Sequence, residues 1–319
     1  MMVDPLRQSR RNVPRSNVQC DAANGELELS KGNIIQVPKS NILLQIIDLI
    51  GRGQFGCVYN VINMSDNRNY ALKVINSSAE CIQSGMSEIN TFKEIIEKGN
   101  REGLNYIVGY YGSFVFQGHI CIILEKLSLS LLDVLRQRKN RGLPLRLVRV
   151  ILQDLVKALS VFDELDLMHL DIKPENILMR SNKSVHVKLA DIGSAEHVGE
   201  TKCKYSITRY YRPPEIVLGC GMSKKADIWS LGTLIAELYL GHVLFNASDE
   251  NQLLVLIEKI LNKKIPIELI DKSPFASKFF DKEKNLLVSS ENSELTTANT
   301  IEEIIENADL PCNFSEADL

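Results

Sequence analysis

Residues Met168–Met179 read MHLDIKPENILM. Apolar residues flank the stretch on both sides, and polar groups sit at fixed offsets between them. A simple surface turn accounts for Pro174 and for the polarity of the middle. It gives no reason for Asp171, Lys173 and Asn176 to occur together, with Asn176 five positions after Asp171.

Three other stretches fall in a definite order around this one. GRGQFGCV runs from Gly51 to Val58, Lys73 closes YALK, and Asp191 opens DIG. Together the four motifs resemble the protein kinases, in which the Asp-to-Asn spacing marks the catalytic loop. The resemblance implies an α+β, bilobal protein kinase fold. Its small, mostly β N-lobe is expected at about 39–127, and its larger, mostly α C-lobe at about 128–319. It also implies that Asp171 takes the proton of a substrate hydroxyl, that Lys173 steadies the transferring phosphoryl group, and that Asn176 and Asp191 hold two Mg2+ ions beside ATP.

Composition agrees with a soluble globular protein. In 319 residues, 45% are hydrophobic, enough for a packed core, and the net charge of -3 carries no footprint of nucleic-acid binding. Arg7, Arg10, Arg11 and Arg15 make the N-terminal tail locally basic, whereas the last fifty residues are acidic. The 7 cysteines never form a CxxC pair, which suits free thiols in a reducing compartment, cytoplasm or nucleus. No apolar run reaches the roughly eighteen residues of a membrane span. The kinase resemblance implies protein substrates as partners, with the chain itself a monomer.

Along the chain, residues 1–38 lack periodicity and read as a flexible extension, with a short strand at Leu27–Leu29. ILLQIIDLIGRGQFGCVYNVINM, from Ile42, reads as two strands joined by a turn with Gly51, Gly53 and Gly56. A GxGxxG alone also occurs in dinucleotide-binding folds, where a helix follows. Here Val58, Tyr59 and Val61 favour a strand, which excludes that reading. By the kinase resemblance the hairpin from Gly51 through Arg52, Gly53, Gln54 and Phe55 to Gly56 covers the triphosphate, and Ile50 and Val58 roof the adenine. Ala71 and Lys73 occupy the VAIK positions, so Lys73 is expected on the α- and β-phosphates. Of Glu80, Glu88, Glu94 and Glu97, Glu88 is the expected partner of Lys73, because it lies between Met86, Ile89 and Phe92 on a face able to pack inward. The resemblance further puts Leu124 behind the nucleotide, the backbones of Glu125 and Leu127 on the adenine edge, and Leu178 beneath it.

Leu145, Val148, Leu152, Leu155, Leu159 and Phe162 recur at threes and fours after Pro144, an apolar helical stripe. His169 is read as an interior brace. VHVKLADIGSAE reads as a short strand ending in Asp191, with Gly193 supplying the turn and Ile192 standing where kinases carry Phe. Lys224–Leu240 is apolar nearly all round and reads as a buried helix stopped by Gly241; Asp227, Trp229 and Gly232 match the kinase helix that, by the resemblance, anchors the catalytic loop from beneath.

CKYSITRYYRPPEIVLG, Cys203–Gly219, resembles the activation loop of the dual-specificity tyrosine-phosphorylation-regulated kinases, and among them the Yak type. That resemblance implies self-phosphorylation on Tyr205, with Arg209 and Arg212 pairing to the phosphate, followed by action on Ser and Thr. Cys203 stands where the first tyrosine of the family's pair would be, and Leu170 replaces the Arg of HRD. A kinase C-lobe is expected to continue with further helices and an arginine for Glu215. None follows Arg212, so the C-lobe reads as truncated, and a catalytically inactive kinase-fold scaffold is the alternative function.

Overall fold

Every second residue from Cys57 to Val61 is apolar, the pattern of a strand with one covered face. In the computed structural model Cys57, Tyr59 and Val61 are all buried. Residues 25–199, 207–287 and 299–307 are described by this structure. They divide into two units, one of residues up to 86 with 110–126, the other of 87–109 with residues from 127 on.

The first unit is a six-stranded antiparallel sheet: β1 (Ile34–Gln36), β2 (Leu43–Gly53), β3 (Gly56–Asn63), β4 (Asn69–Ile75), β5 (Tyr110–Phe116) and β6 (His119–Glu125), in the order β1-β2-β3-β4-β6-β5. Its covered face holds Cys57, Tyr59 and Val61 with Leu72, Val74 and Cys121. Because side chains alternate between faces, Val58, Ala71 and Lys73 share the opposite one. The register sets Gly51 against Val58, Val58 against Lys73, and Lys73 against Ile122, one row across four strands.

The N-terminal expectation needs correction from residue 25 on. Leu27 and Leu29 form no strand, yet both are buried in the sheet's core, and the strand of this region is β1, paired with β2. Short apolar pairs spaced two apart satisfy a core as well as a strand, and only the sheet beneath them decides which.

α1 (Ala79–Lys98) begins in the first unit and ends in the second. The second unit then adds α2 (Arg101–Leu104), α3 (Leu131–Gln137), α4 (Leu145–Glu164), β7 (Leu167–Met168), β8 (Ile177–Met179), β9 (Val187–Leu189), β10 (Glu196–His197), α5 (Pro214–Val217), α6 (Lys225–Leu240) and α7 (Glu250–Ile260). Ser130 starts α3 with a capping box, its hydroxyl taking the Asp133 N–H while Asp133 reaches back to Ser130 N–H. Val148, Leu155, Leu159 and Phe162 of α4 are buried, but Leu145 is exposed, since the first turn lies beyond the packed part of the stripe. α6 is mostly buried, ends at Gly241 in a left-handed conformation (φ 89°), and leaves Ile228 in solvent. A further core gathers Val217, Phe245, Leu253, Leu254 and Ile257, with Ile301 and Ile304 of the helix Ile301–Asn307 against it. No helix among the described residues is long and apolar enough to cross a membrane.

Candidate active site

In the first unit, the predicted nucleotide residues come together by strand register. Gly56 has φ 155°, and a Cβ there would lie 2.0 Å from the Val74 carbonyl oxygen, so the hairpin can close against β4 only with glycine. Asn76 N–H donates to the Phe55 carbonyl (2.9 Å), and its side chain reaches the Gln54 carbonyl (3.4 Å), which fixes the hairpin tip. Lys73 is half-buried in β4, and Ala71 is buried opposite Leu124. Glu125 ends β6 opposite Tyr70.

In the second unit, the catalytic-loop backbone is held from below by α6. The buried Asp227 carboxylate accepts the N–H groups of His169 (2.7 Å) and Leu170 (2.8 Å). Burial pushes the pKa of Asp227 up, opposed by His169 and these two amides. His169 is wholly buried against Phe162. Its Nε2 faces the Ala190 carbonyl (3.2 Å) and its Nδ1 faces the Asp171 N–H (3.2 Å). A carbonyl only accepts and an amide only donates, so the ring carries its proton on Nε2. The histidine therefore joins the loop to the segment before Asp191, as a brace and not a base.

Leu170 has φ 64° and no exposure, and packs with Met168, Ile207, Tyr211, Ile216 and Ala226. The site of the usual arginine is thus an apolar pocket, and leucine fits it.

Asp171 is buried, and its carboxylate is held from three directions. Lys173 Nζ lies 2.8 Å from Oδ2, Asn176 Nδ2 donates to Oδ2 and to the Asp171 carbonyl (2.8 Å each), and Thr208 Oγ1 donates to Oδ1 (3.2 Å). Lys173 also donates to Thr208 Oγ1 (3.4 Å). Thr208 was not singled out from sequence; its only signal is its place just before the Arg209–Glu215 run. A hydroxyl thirty-seven residues from Asp171 becomes its neighbour only in the fold.

Asp191 follows β9 by two residues, not as the strand's last residue, and the sharp turn lies at Asp191 itself (φ 57°). Gly193 sits in a 3-10 turn without positive φ, so its role is spatial. A Cβ there would stand 3.3 Å from Glu88 Oε2 and 3.5 Å from Asp191 Oδ1. Glu88 is 2% exposed, as expected of the chosen glutamate, although Met86, one of the residues behind that choice, is half-exposed. Glu94, one of the glutamates not chosen, meets Lys98 and His197 at 3.0 Å each, which hold its carboxyl below the usual range. Ile192, in the usual Phe position, is wholly buried. Leu178 is half-buried in β8, and Leu127 is buried.

Of the regulatory residues, Tyr205 and Cys203 lie outside the described residues. Arg212 is buried, donates through Nε (3.1 Å) and Nη2 (2.9 Å) to the Ile207 carbonyl, and meets Glu250 at 3.2 Å. Arg209 donates to the Ser248 carbonyl at 2.6 Å, while its buried Nε has no acceptor among the described residues. Glu215 is half-buried with no ion pair among the described residues, and burial pushes its pKa up.

A strand hairpin paired with a lysine strand, and a catalytic loop braced by histidine and by α6, define a protein kinase. The family model "Protein kinase domain" matches residues 44–308, and the chain belongs to that family. Within it, the chain is similar to kinases of the Yak and dual-specificity tyrosine-phosphorylation-regulated types. It is 33% identical over 268 residues to the probable serine/threonine-protein kinase yakA of Dictyostelium discoideum, covering 84% of this chain and 18% of that protein. It is 32% identical over 287 residues to the dual specificity protein kinase YAK1 of Saccharomyces cerevisiae, covering 90% and 35%. A dual specificity tyrosine-phosphorylation-regulated kinase of Rattus norvegicus is 31% identical over 265 residues, covering 82% and 45%. The chain thus matches less than half the length of each of these relatives. A crystal structure of a kinase domain superposes with a TM-score of 0.80 at 26% identity, over 89% of this chain and 90% of that one.

Proposed function

We propose that this chain is an ATP-dependent protein serine/threonine kinase that also phosphorylates its own Tyr205. The observation that carries the reading is the Asp171 carboxylate, held by Lys173, Asn176 and Thr208 on a backbone tied to Asp227. In this reading Asp171 orients a serine or threonine hydroxyl of a protein substrate and takes its proton. Lys173 balances negative charge at the transferring group. Lys73 meets the α- and β-phosphates. In the first unit we assign the hairpin Gly51–Gly56 with Ile50, Val58, Ala71 and Glu125 to the nucleotide, and in the second unit Leu127 and Leu178.

The donor set fits magnesium. This ion takes one or two protein oxygens and completes its shell with phosphate and water. Asn176 and Asp191 offer an amide oxygen and a carboxylate, and Glu88 and Asp191 both approach Gly193, where a Cβ would lie 3.3 Å from Glu88 Oε2 and 3.5 Å from Asp191 Oδ1. Bound there, the metal would neutralise phosphate charge. With these parts in place, turnover of about 1 to 100 per second is expected.

A phosphate on Tyr205 would compete with Glu250 for Arg212 and offer an acceptor to the buried Nε of Arg209. We place the protein in cytoplasm or nucleus, acting as a monomer. The test is intact mass and peptide mapping of the chain made in bacteria, wild type beside Asp171→Asn. Phosphate on Tyr205 in wild type alone is expected; a soluble, unmodified wild type overturns the self-phosphorylation.

A further inference from the structure

The segment before the first strand touches the hairpin that the nucleotide reading depends on. Glu26, whose side chain is only 11% exposed, meets the guanidinium of Arg52 at 2.8 Å, and Arg52 stands between Gly51 and Gly53. The segment is itself anchored. The Gly25 carbonyl accepts both Ser77 N–H (2.9 Å) and Ser77 Oγ–H (3.2 Å), Tyr59 OH donates to the Leu27 carbonyl (3.4 Å), and Leu27 and Leu29 are buried in the sheet's core.

The hairpin needs such anchoring. Three of its six residues are glycines, and Arg52, Gln54 and Phe55 are exposed, so few side chains pin it by packing. Its tip is tied to Asn76 through two backbone carbonyls, and Asn76 is the neighbour of Ser77, which ties down Gly25. The end of β4, the strand that carries Lys73, therefore holds the hairpin directly at its tip and indirectly through Gly25, Glu26 and Arg52. A fixed chain of contacts of this kind lowers the ordering cost that a flexible, glycine-rich hairpin would meet on closing over a ligand.

We propose that Glu26 is a positioning residue for the nucleotide: by holding Arg52 it presets the Gly51–Gly56 hairpin, and so the segment from Gly25 to Leu29 sets ATP affinity. The proposal rests on the reading of this hairpin as the phosphate cover.

Two readouts separate the proposal from that reading. The first is amide hydrogen exchange of residues 51–56 in the full chain without nucleotide, and the second is KM for ATP against kcat on a peptide substrate. Glu26→Gln keeps shape and removes charge. It is expected to speed exchange of the hairpin, and to raise KM about two- to fivefold with little change in kcat, the scale of a partly exposed ion pair. The double exchange Glu26→Arg with Arg52→Glu restores the pair and is expected to recover slow exchange. Unchanged hairpin exchange in Glu26→Gln, or failure of the double exchange to recover it, overturns the positioning role. Absence of any protection of residues 51–56 by Mg-ATP in wild type overturns the nucleotide reading, whatever the exchange of Glu26→Gln shows.

Discussion

Single buried carboxylates decide much of how this chain responds to its surroundings. Glu237 of α6 is 4% exposed and accepts a 2.6 Å hydrogen bond from Tyr211 OH, and burial pushes its pKa up to about 7. Unfolded, the same group releases its proton near 4.5. Between those values the folded state binds more protons, so raising pH through this window destabilises the fold, by up to about 3 kcal/mol once it is crossed. Glu237→Gln keeps an acceptor for Tyr211 without the charge. Urea unfolding at pH 5 and pH 8 should therefore show a smaller loss of stability in the variant than in wild type; equal losses would refute the assignment. Asp227 poses a different question, because its two oxygens serve two amides. Asp227→Asn has one acceptor oxygen and leaves one buried N–H without a partner, a cost of about 1 to 3 kcal/mol. A lowered urea midpoint with unchanged slope is the expected result.

Elements impose their own limits, and the β3–β4 pair sets a tight one. Gly56→Ala would put a methyl group 2.0 Å from a backbone carbonyl that cannot rotate away, in a conformation that alanine rarely adopts. A loss of about 3 kcal/mol or more is expected from thermal unfolding, whereas Gly112→Ala, with positive φ but open space, bears only the backbone cost. Near-equal midpoints for the two variants would mean that β3 and β4 part more easily than their register suggests. α6 acts on the catalytic loop in the same rigid way. Its N-terminal half presents Asp227 to His169 and Leu170, and Ser230 donates to the Tyr211 carbonyl (2.8 Å), so one helix fixes both the loop and the segment that brings Thr208 to Asp171.

At the scale of the molecule, a ligand that binds only the folded state raises the unfolding midpoint. Mg-ATP at a hundred times its dissociation constant is expected to add about 2.7 kcal/mol, read as an upward shift in a melting curve. A melt that ignores Mg-ATP would remove nucleotide binding from the proposed function. The motifs themselves were legible along the chain because their residues are bound to one another by short covalent spacing: Asp171 to Asn176, Gly51 to Gly56, Tyr70 to Lys73. Elements with strong periodicity, the β2–β3 hairpin, α4 and α6, were legible for the same local reason. The turn at Asp191 was misplaced onto Gly193, because a glycine in sequence does not say whether it serves a dihedral angle or a close approach. Residues 25–38 were read as flexible because two buried leucines carry no pattern of their own. By itself, the sequence determined the protein kinase class and singled out the residues proposed to react, since motifs at fixed spacing are legible without knowledge of the fold. Only the tertiary structure decided that Thr208 joins Asp171, that Leu170 fills an apolar pocket, that the two Asp227 oxygens take the His169 and Leu170 amides and that Glu26 holds Arg52. Those contacts join residues 26 to 58 positions apart, or close a core around one side chain, and which distant groups meet is settled by the packing of the whole chain.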